Sequence, residues 1–402
     1  MTSVLVRIFG FQHIDLITDA VQDTFESALM TWKYSGIPSN PEGWLMKVSK
    51  NKAINSLKRE SKTSLVAPSS FIKNPDKHLA EDSDVYLPHE IEDSQLRLLL
   101  TCCHPDFSEK NQVIITLNIL CGFGTEEIAR ALLMNTAAVK KAITRTKQEL
   151  KRKGAILLTP RLPKYEKRVD TVHTILYLMF NEGYKTSRSK EMIDHDLCYE
   201  AIRLAKLLVK KGVVLAEETN ALLALMFFNL ARFPSRMNTD GGILTLAEQD
   251  RSKWDTVFIE EGYYYLNCAA EQDKLSRYHL EAIIASLHCA AKKFDDTDWK
   301  TIVYMYEQLE LILDSPIVTL NKIVAQSYLY DPAISLAQLD ALKKQEGIEK
   351  NYLLFAAEAD MFRRLKNNGL AKKSYEKAYQ LATSPLDKQF LADKISKFNT
   401  YN

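Results

Sequence analysis

Apolar residues recur at three- and four-residue steps along most of this chain, and the alternation that a half-buried strand requires is scarce. The clearest instance runs from Thr125 to Lys153. Ile128, Ala129 and Leu132 share one helical face, the pattern breaks at Met134-Asn135, and Val139, Ala142, Ile143 and Thr146 then repeat as a second buried stripe. Thr125 can accept from the free N–H groups of the first helix, Glu126 and Glu127 lie where its positive end favours anions, and Asn135 is a good N-cap for the second. The spacing predicts a helix-turn-helix. Its second helix leaves Thr136, Ala137, Lys140, Lys141 and Thr144 on the outer face and carries Arg145, Lys147, Lys151, Arg152 and Lys153 further on. A solvated lysine face on an ordinary helical hairpin would look the same, so this stretch alone supports generic DNA binding and no more.

The same periodicity places the other elements. Val21, Phe25, Ala28, Leu29 and Trp32 are spaced as in a helix ending near Trp32, and Gly36, Pro38, Pro41 and Gly43 mark a loop. From Trp44 to Glu60 the helical pattern returns, with Trp44, Leu45, Val48, Ile54 and Leu57 expected inward and basic residues outward. Ser61 to His89 has little periodicity and reads as an extended linker. Helices resume from Ile91, with a turn at Pro105-Asp106. Beyond Leu157, Val172, Ile175, Leu176 and Met179 form a stripe that Gly183 is placed to cap. Asp250 or Ser252 is placed to cap a later helix in which Trp254 anchors the packing. Several helical stretches follow Tyr278, and the last two, joined by Lys366–Gly369, form a pair packed through Ala371, Tyr375 and Ala378. The fold class is all-α, with stacked helical hairpins in the C-terminal part.

Composition narrows the class. A chain of 402 residues exceeds one helical core, so about two to three domains are expected. The net charge of +2 says little about the whole, but Lys47, Lys50, Lys52, Lys58, Arg59 and Lys62 cluster, as does the segment after Ala138, which is the footprint of a polyanion partner. Six cysteines without a spaced framework fit a reduced cytoplasm, no apolar run approaches a membrane span, and the start lacks signal-peptide features. Cytoplasmic localisation without membrane association is expected. Cys102-Cys103-His104 has no second ligand pair at finger-like spacing, so packing at a helix end is the better reading and no metal is expected. No phosphate loop, HExxH or GxSxG occurs, and His195 between Asp194 and Asp196 reads as a polar loop or helix start. No cofactor and no catalytic residue is assigned, so an enzyme is not expected.

Two stretches together carry a resemblance. Asp19 to Trp32 (DAVQDTFESALMTW), followed by the loop and Asn40 to Glu60 (NPEGWLMKVSKNKAINSLKRE), resembles region 2 of sigma-70 family initiation factors of the extracytoplasmic-function group, and the helix-turn-helix then corresponds to region 4. LRLLLTCCHP, LCGFGTEEIARALL, YLMFNEGY and LTLAEQDRSKWD are similar to the subgroup that carries a long tetratricopeptide-like C-terminal extension. The resemblance covers nearly the whole chain. It implies a region 2-like domain at 1–62, a linker at 63–90, a region 4-like domain at 91–156 and an α-solenoid extension at 157–402.

What the resemblance implies about function is binding work. Asp19, Gln22, Asp23 and Phe25 match the helix that grips the clamp helices of core RNA polymerase. The loop Tyr34 to Gly43 and the helix from Trp44, with Trp44, Lys47, Lys50, Asn51, Lys58 and Arg59, match the part that melts and reads the −10 element of promoter DNA. Arg130, Thr136, Ala137, Lys140, Lys141, Thr144 and Arg145 would dock at the −35 element, with the apolar remainder on the polymerase flap. The extension would hold a protein partner or regulator. Two departures stand out: Asn55 replaces a commonly acidic position, and the helical segment that the family places ahead of Val4 is cut short, which implies either a region 2 shortened at its N-terminus or a chain that begins at an internal start. The alternative is a ligand- or partner-responsive helix-turn-helix regulator that binds duplex DNA alone and does not bind core polymerase.

Overall fold

The computed structural model describes residues 1–63, 88–104, 106–132, 134–157, 166–184, 195–210, 216–238, 241–271, 275–345 and 348–398. Among these residues are eighteen α-helices: α1 (Thr2–Phe9), α2 (Ile14–Ser35), α3 (Pro41–Thr63), α4 (Pro88–Cys102), α5 (Glu109–Ile119), α6 (Thr125–Ala131), α7 (Thr136–Leu157), α8 (Glu166–Tyr184), α9 (His195–Lys210), α10 (Ala216–Leu230), α11 (Thr256–Ala269), α12 (Arg277–Ala290), α13 (Trp299–Ile312), α14 (Pro316–Leu329), α15 (Pro332–Leu342), α16 (Tyr352–Arg364), α17 (Asn368–Leu381) and α18 (Pro385–Ser396). Extended pairing among the described residues is limited to an isolated antiparallel bridge between Met237 and Ile243. The chain is all-α. No helix among the described residues is long and apolar enough to cross a membrane. Two compact units, Met1–Ile175 and Leu176–Asn402, divide within α8.

In the first unit α2 packs on α3, and α4 to α7 form a second group. Both are joined in one body: α1 packs on α4, and the short turn Phe11–His13 packs on α7. Burial explains why. Val4, Leu5 and Val6 of α1 and Leu98, Leu99, Leu100 and Cys102 of α4 are fully enclosed, as are Phe11, Ile14 and Leu150. Most of the 63–90 linker lies outside the described residues; its two ends are helical, in α3 and α4.

Local chemistry sets the helix ends here. Gly36 terminates α2 with φ 79°, a backbone conformation that side-chain-bearing residues rarely adopt. Pro41 opens α3, where its missing N–H costs nothing, and Asn40 accepts from the Gly43 N–H at 2.9 Å. The loop is therefore shorter than expected, only residues 36–40. Thr125 is the first residue of α6 and not its cap; instead the Glu127 carboxylate reaches back to the Gly124 N–H at 2.7 Å. Asn135 does cap α7, accepting from the Ala137 N–H at 2.8 Å.

In the second unit α10 is the central helix. Every residue from Thr219 to Phe228 is buried, and α9, α11 and α12 cover it. The α10–α11 approach is close enough to require glycine: a Cβ on Gly262 would lie 2.6 Å from the Phe228 ring. From α12 onwards each helix packs on the next, and α14 also meets α16. Ala371, Tyr375 and Ala378 of α17 are buried against α16, as the pairing of the last two stretches required. Three local expectations are corrected. Gly183 lies inside α8, because the helix continues to Tyr184. Asp250 caps only the short turn Arg251–Lys253, of which Ser252 is a part, while Asp255 caps α11 through the N–H groups of Val257 and Phe258. Ser384 and Pro385 then open a further helix, α18.

Candidate nucleic-acid interface

The second helix of the predicted helix-turn-helix has two clearly different faces. Val139, Ile143, Thr146 and Leu150 are buried against α5 and α6, with Ala142 half-buried. Thr136, Ala137, Lys140, Lys141, Thr144 and Arg145 all face solvent. Thr144 donates back to the Lys140 carbonyl at 3.0 Å, and Arg145 lies 3.5 Å from Glu149 across one turn. Lys140 and Lys141 have no acidic partner among the described residues. Arg130 lies on α6, but its side chain is outside the described residues.

The basic residues later in α7 are engaged differently. Lys147 and Lys151 converge on Asp15 of α2, at 3.6 and 2.5 Å, and Lys153 pairs with Asp106. Burial alone would raise the Asp15 carboxyl, but the Lys151 ammonium bonded to it and Lys147 beside it hold it below the usual range. Lys140 and Lys141 thus lie in the first half of α7, where a recognition helix meets base edges, while Lys147, Lys151 and Lys153 of the second half are tied to their own unit.

On α2 the predicted polymerase-facing residues Asp19, Gln22, Asp23 and Phe25 are all exposed. The buried stripe consists of Ile14, Ile17, Ala20, Thr24 and Ala28. Leu29, which the periodicity grouped with Ala28, faces out. Phe25 (50% exposed), Leu29 (76%), Met30 (71%), Tyr34 (84%) and Ile37 (72%) form an apolar series leading from α2 into the following loop. Such large apolar side chains clustered in solvent mark an interaction surface. Of these, the resemblance places Phe25 on the polymerase-facing helix and Tyr34 and Ile37 in the loop of the −10-reading part, while the periodicity puts Leu29 in the buried stripe. The signal for the rest was an apolar stripe wider than the face that α2 buries.

On α3 the deepest residues are Met46, Ser49 and Ala53, and the expected inward set of Trp44, Leu45, Val48, Ile54 and Leu57 is only half-buried. Trp44 lies against Trp32, with ring centroids 5.4 Å apart, so part of its surface is used in helix packing. Lys47, Asn51, Lys58 and Arg59 are exposed and Lys50 half-buried, on the helix whose Lys52 ammonium donates to the Asp23 carbonyl at 2.9 Å. The −10 and −35 candidates therefore belong to one compact unit. Cys102 and Cys103 are buried at the end of α4; burial pushes the Cys102 thiol up to about 12, which suits packing and not ligation. His195 begins α9 and rests edge-on against Phe233 at 5.0 Å.

Comparison with known proteins adds family membership. Residues 168–270 match the pattern of a family of unknown function, DUF6596. An uncharacterized protein of Rhizobium meliloti (strain 1021), R00370, is 31% identical over 382 residues, covering 95% of this chain and 89% of that protein. The chain belongs to the same family as R00370. No solved structure matches.

Proposed function

We propose that the chain is an alternative sigma factor, which binds core RNA polymerase and directs it to promoters through −10 and −35 contacts. The region 2-like and region 4-like sequence stretches, in that order, carry the reading. The observation that supports it best is the solvent face of α7: Thr136, Ala137, Lys140, Lys141, Thr144 and Arg145 lie outward on a helix whose opposite side is buried. A helix N-terminal half that offers short polar residues and two lysines without an acidic partner among the described residues suits major-groove docking, with phosphate contacts that make binding salt dependent. The exposed Phe25, Leu29 and Met30 beside Asp19, Gln22 and Asp23 supply an apolar anchor in a polar rim, the composition of a protein-binding hot spot. No catalytic role is assigned to any residue, and in this reading the C-terminal helices form a tetratricopeptide-like solenoid that receives a partner.

The test is reconstitution. Added to sigma-free core polymerase, the chain should co-elute with it and start transcription at a defined site. Lys140→Glu/Lys141→Glu should lose −35 binding and keep core association, while Phe25→Ala/Leu29→Ala should lose core association. Duplex binding without any core association would instead identify the helix-turn-helix regulator that acts alone.

A further inference from the structure

Three arginines of the second unit meet where three helices end. Arg236 is buried and donates to the Tyr184 carbonyl at the end of α8. Arg251 donates to the carbonyls of His288 and Ala291 at the end of α12. Arg232 comes two residues after the end of α10 and is differently placed. Its Nε donates to Gln249 at 3.3 Å, and its guanidinium lies 5.7 Å from the Trp254 ring, on which Arg251 also rests at 5.1 Å. Its two Nη groups make no hydrogen bond among the described residues, and no carboxylate there pairs with any of the three arginines.

The charge of this centre is not balanced. Burial lowers the Arg236 and Arg251 guanidiniums and the His288 imidazole, and Arg232 is near enough to lower all three further. Each helix C-terminus supplies roughly half a negative charge, so about one and a half of the positive charges stay uncompensated. Asp296 acts on Arg251 from a distance, without pairing with it. Two polar atoms are also left over: Arg251 Nε and His288 Nδ1 are enclosed and have no hydrogen-bond partner. Other partly buried cations of this unit are treated otherwise, since Lys343 pairs with Asp340 and Glu358, and Arg363 and Arg364 pair with Asp360.

We propose that Arg232 is the docking point of a bound phosphate group, held where the end of α10 meets the loop from residue 241 to 255. Arg232 is half-buried, so an anion reaches it from solvent without opening the core. A guanidinium fork takes phosphate oxygens two at a time. A phosphomonoester carries about −1.5 to −2 at pH 7, which matches the uncompensated charge better than chloride or a single carboxylate. Arg236 and Arg251 keep their carbonyls and contribute their field. The phosphate is either the free ion or the end group of a small phosphomonoester, and the fork recognises the same oxygens in both. This inference rests on the second unit alone and stands or falls independently of the promoter reading.

Isothermal titration of the full chain with inorganic phosphate, at constant ionic strength in chloride, should show one saturable site. Phenyl phosphate separates the sources: tighter binding than inorganic phosphate identifies a phosphomonoester, and weaker binding the free ion. Arg232→Gln should weaken phosphate binding by about 10-fold or more, and Arg232→Lys, which keeps the charge but not the fork, should fall between. Melting temperature gives the second reading. Without phosphate, Arg232→Gln should melt at or above the wild-type temperature, because an uncompensated charge is gone, and added phosphate should raise the wild type alone. No saturable binding of either phosphate, undiminished affinity in Arg232→Gln, or a phosphate-free melting temperature of Arg232→Gln below that of the wild type would overturn the proposal.

Discussion

Basic residues are used in opposite ways by the arginines of the second unit and by the first half of α7. In the second unit Arg236, Arg251 and Arg364 are internal fasteners. Arg251 donates to the carbonyls of His288 and Ala291 at 2.8 and 3.0 Å and to the Thr297 hydroxyl at 3.0 Å, with its guanidinium over Trp254. Arg364 lies over Tyr328 and donates to the Ser327 carbonyl at 2.7 Å, and Arg236 sits 3.6 Å from the Tyr184 ring centre. On the first half of α7, by contrast, Lys140 and Lys141 meet no acid among the described residues. A cation that satisfies carbonyls and stacks on a ring serves the fold, since its planar fork is matched to fixed partners. One left in solvent on an otherwise well-packed helix is available to a partner.

That contrast is open to measurement. The largest expected effect is at Arg251: its replacement by alanine strips donors from two partly buried carbonyls and the Thr297 hydroxyl and should destabilise the second unit by about 3 kcal/mol. Urea titration followed by tryptophan fluorescence would register it, and a midpoint unchanged from wild type would remove the idea of the arginine as a fastener. Next comes acidity. Burial, followed by the charges of Arg232 and Arg251, pushes the His288 imidazole down to about 3 from its ordinary 6.5. The unfolded chain therefore binds a proton below 6.5 that the folded chain refuses until about 3, and stability is lost as pH falls through that window. Between about pH 7 and about pH 5 the expected loss is about 2 kcal/mol, and His288→Phe should flatten that part of the melting-temperature profile. Smallest of all is the effect of Lys140→Glu/Lys141→Glu on stability, within about 0.5 kcal/mol, even where DNA binding is lost. A substantial drop in melting temperature for this pair would mean that the α7 lysines serve the fold too.

How much of this could be read from residues alone follows from the range of each interaction. The burial of α7 was legible because Val139, Ile143 and Thr146 repeat with the helix itself, and Asn135 acts only two residues from its donor. The exposure of Leu29 was not, since it depends on where α3 lies. Asp250, Ser252 and Asp255 all have capping chemistry, and the choice was made by the turn that Trp254 anchors through its indole N–H on Ser235, 2.7 Å away. Asp15, Arg251 and Glu248 each meet partners 37 to 146 residues away, and no local pattern announces such a meeting. The all-α class was legible throughout, because helical periodicity survives every one of these long-range choices.

The loop from residue 241 to 255, with its one short helical turn Arg251–Lys253, has a kinetic consequence. Neighbouring helices such as α16 and α17 gain their contacts over short loops and form early, whereas contacts that close long loops come late. Arg251 must wait for α12 and Glu248 for α18, so this stretch locks only after the helices on either side are in place. Weakening it should leave the rate of folding nearly unchanged and raise the rate of unfolding. This stretch, in the first half of the second unit's sequence, is thus expected to be the last part to close and the first to let go.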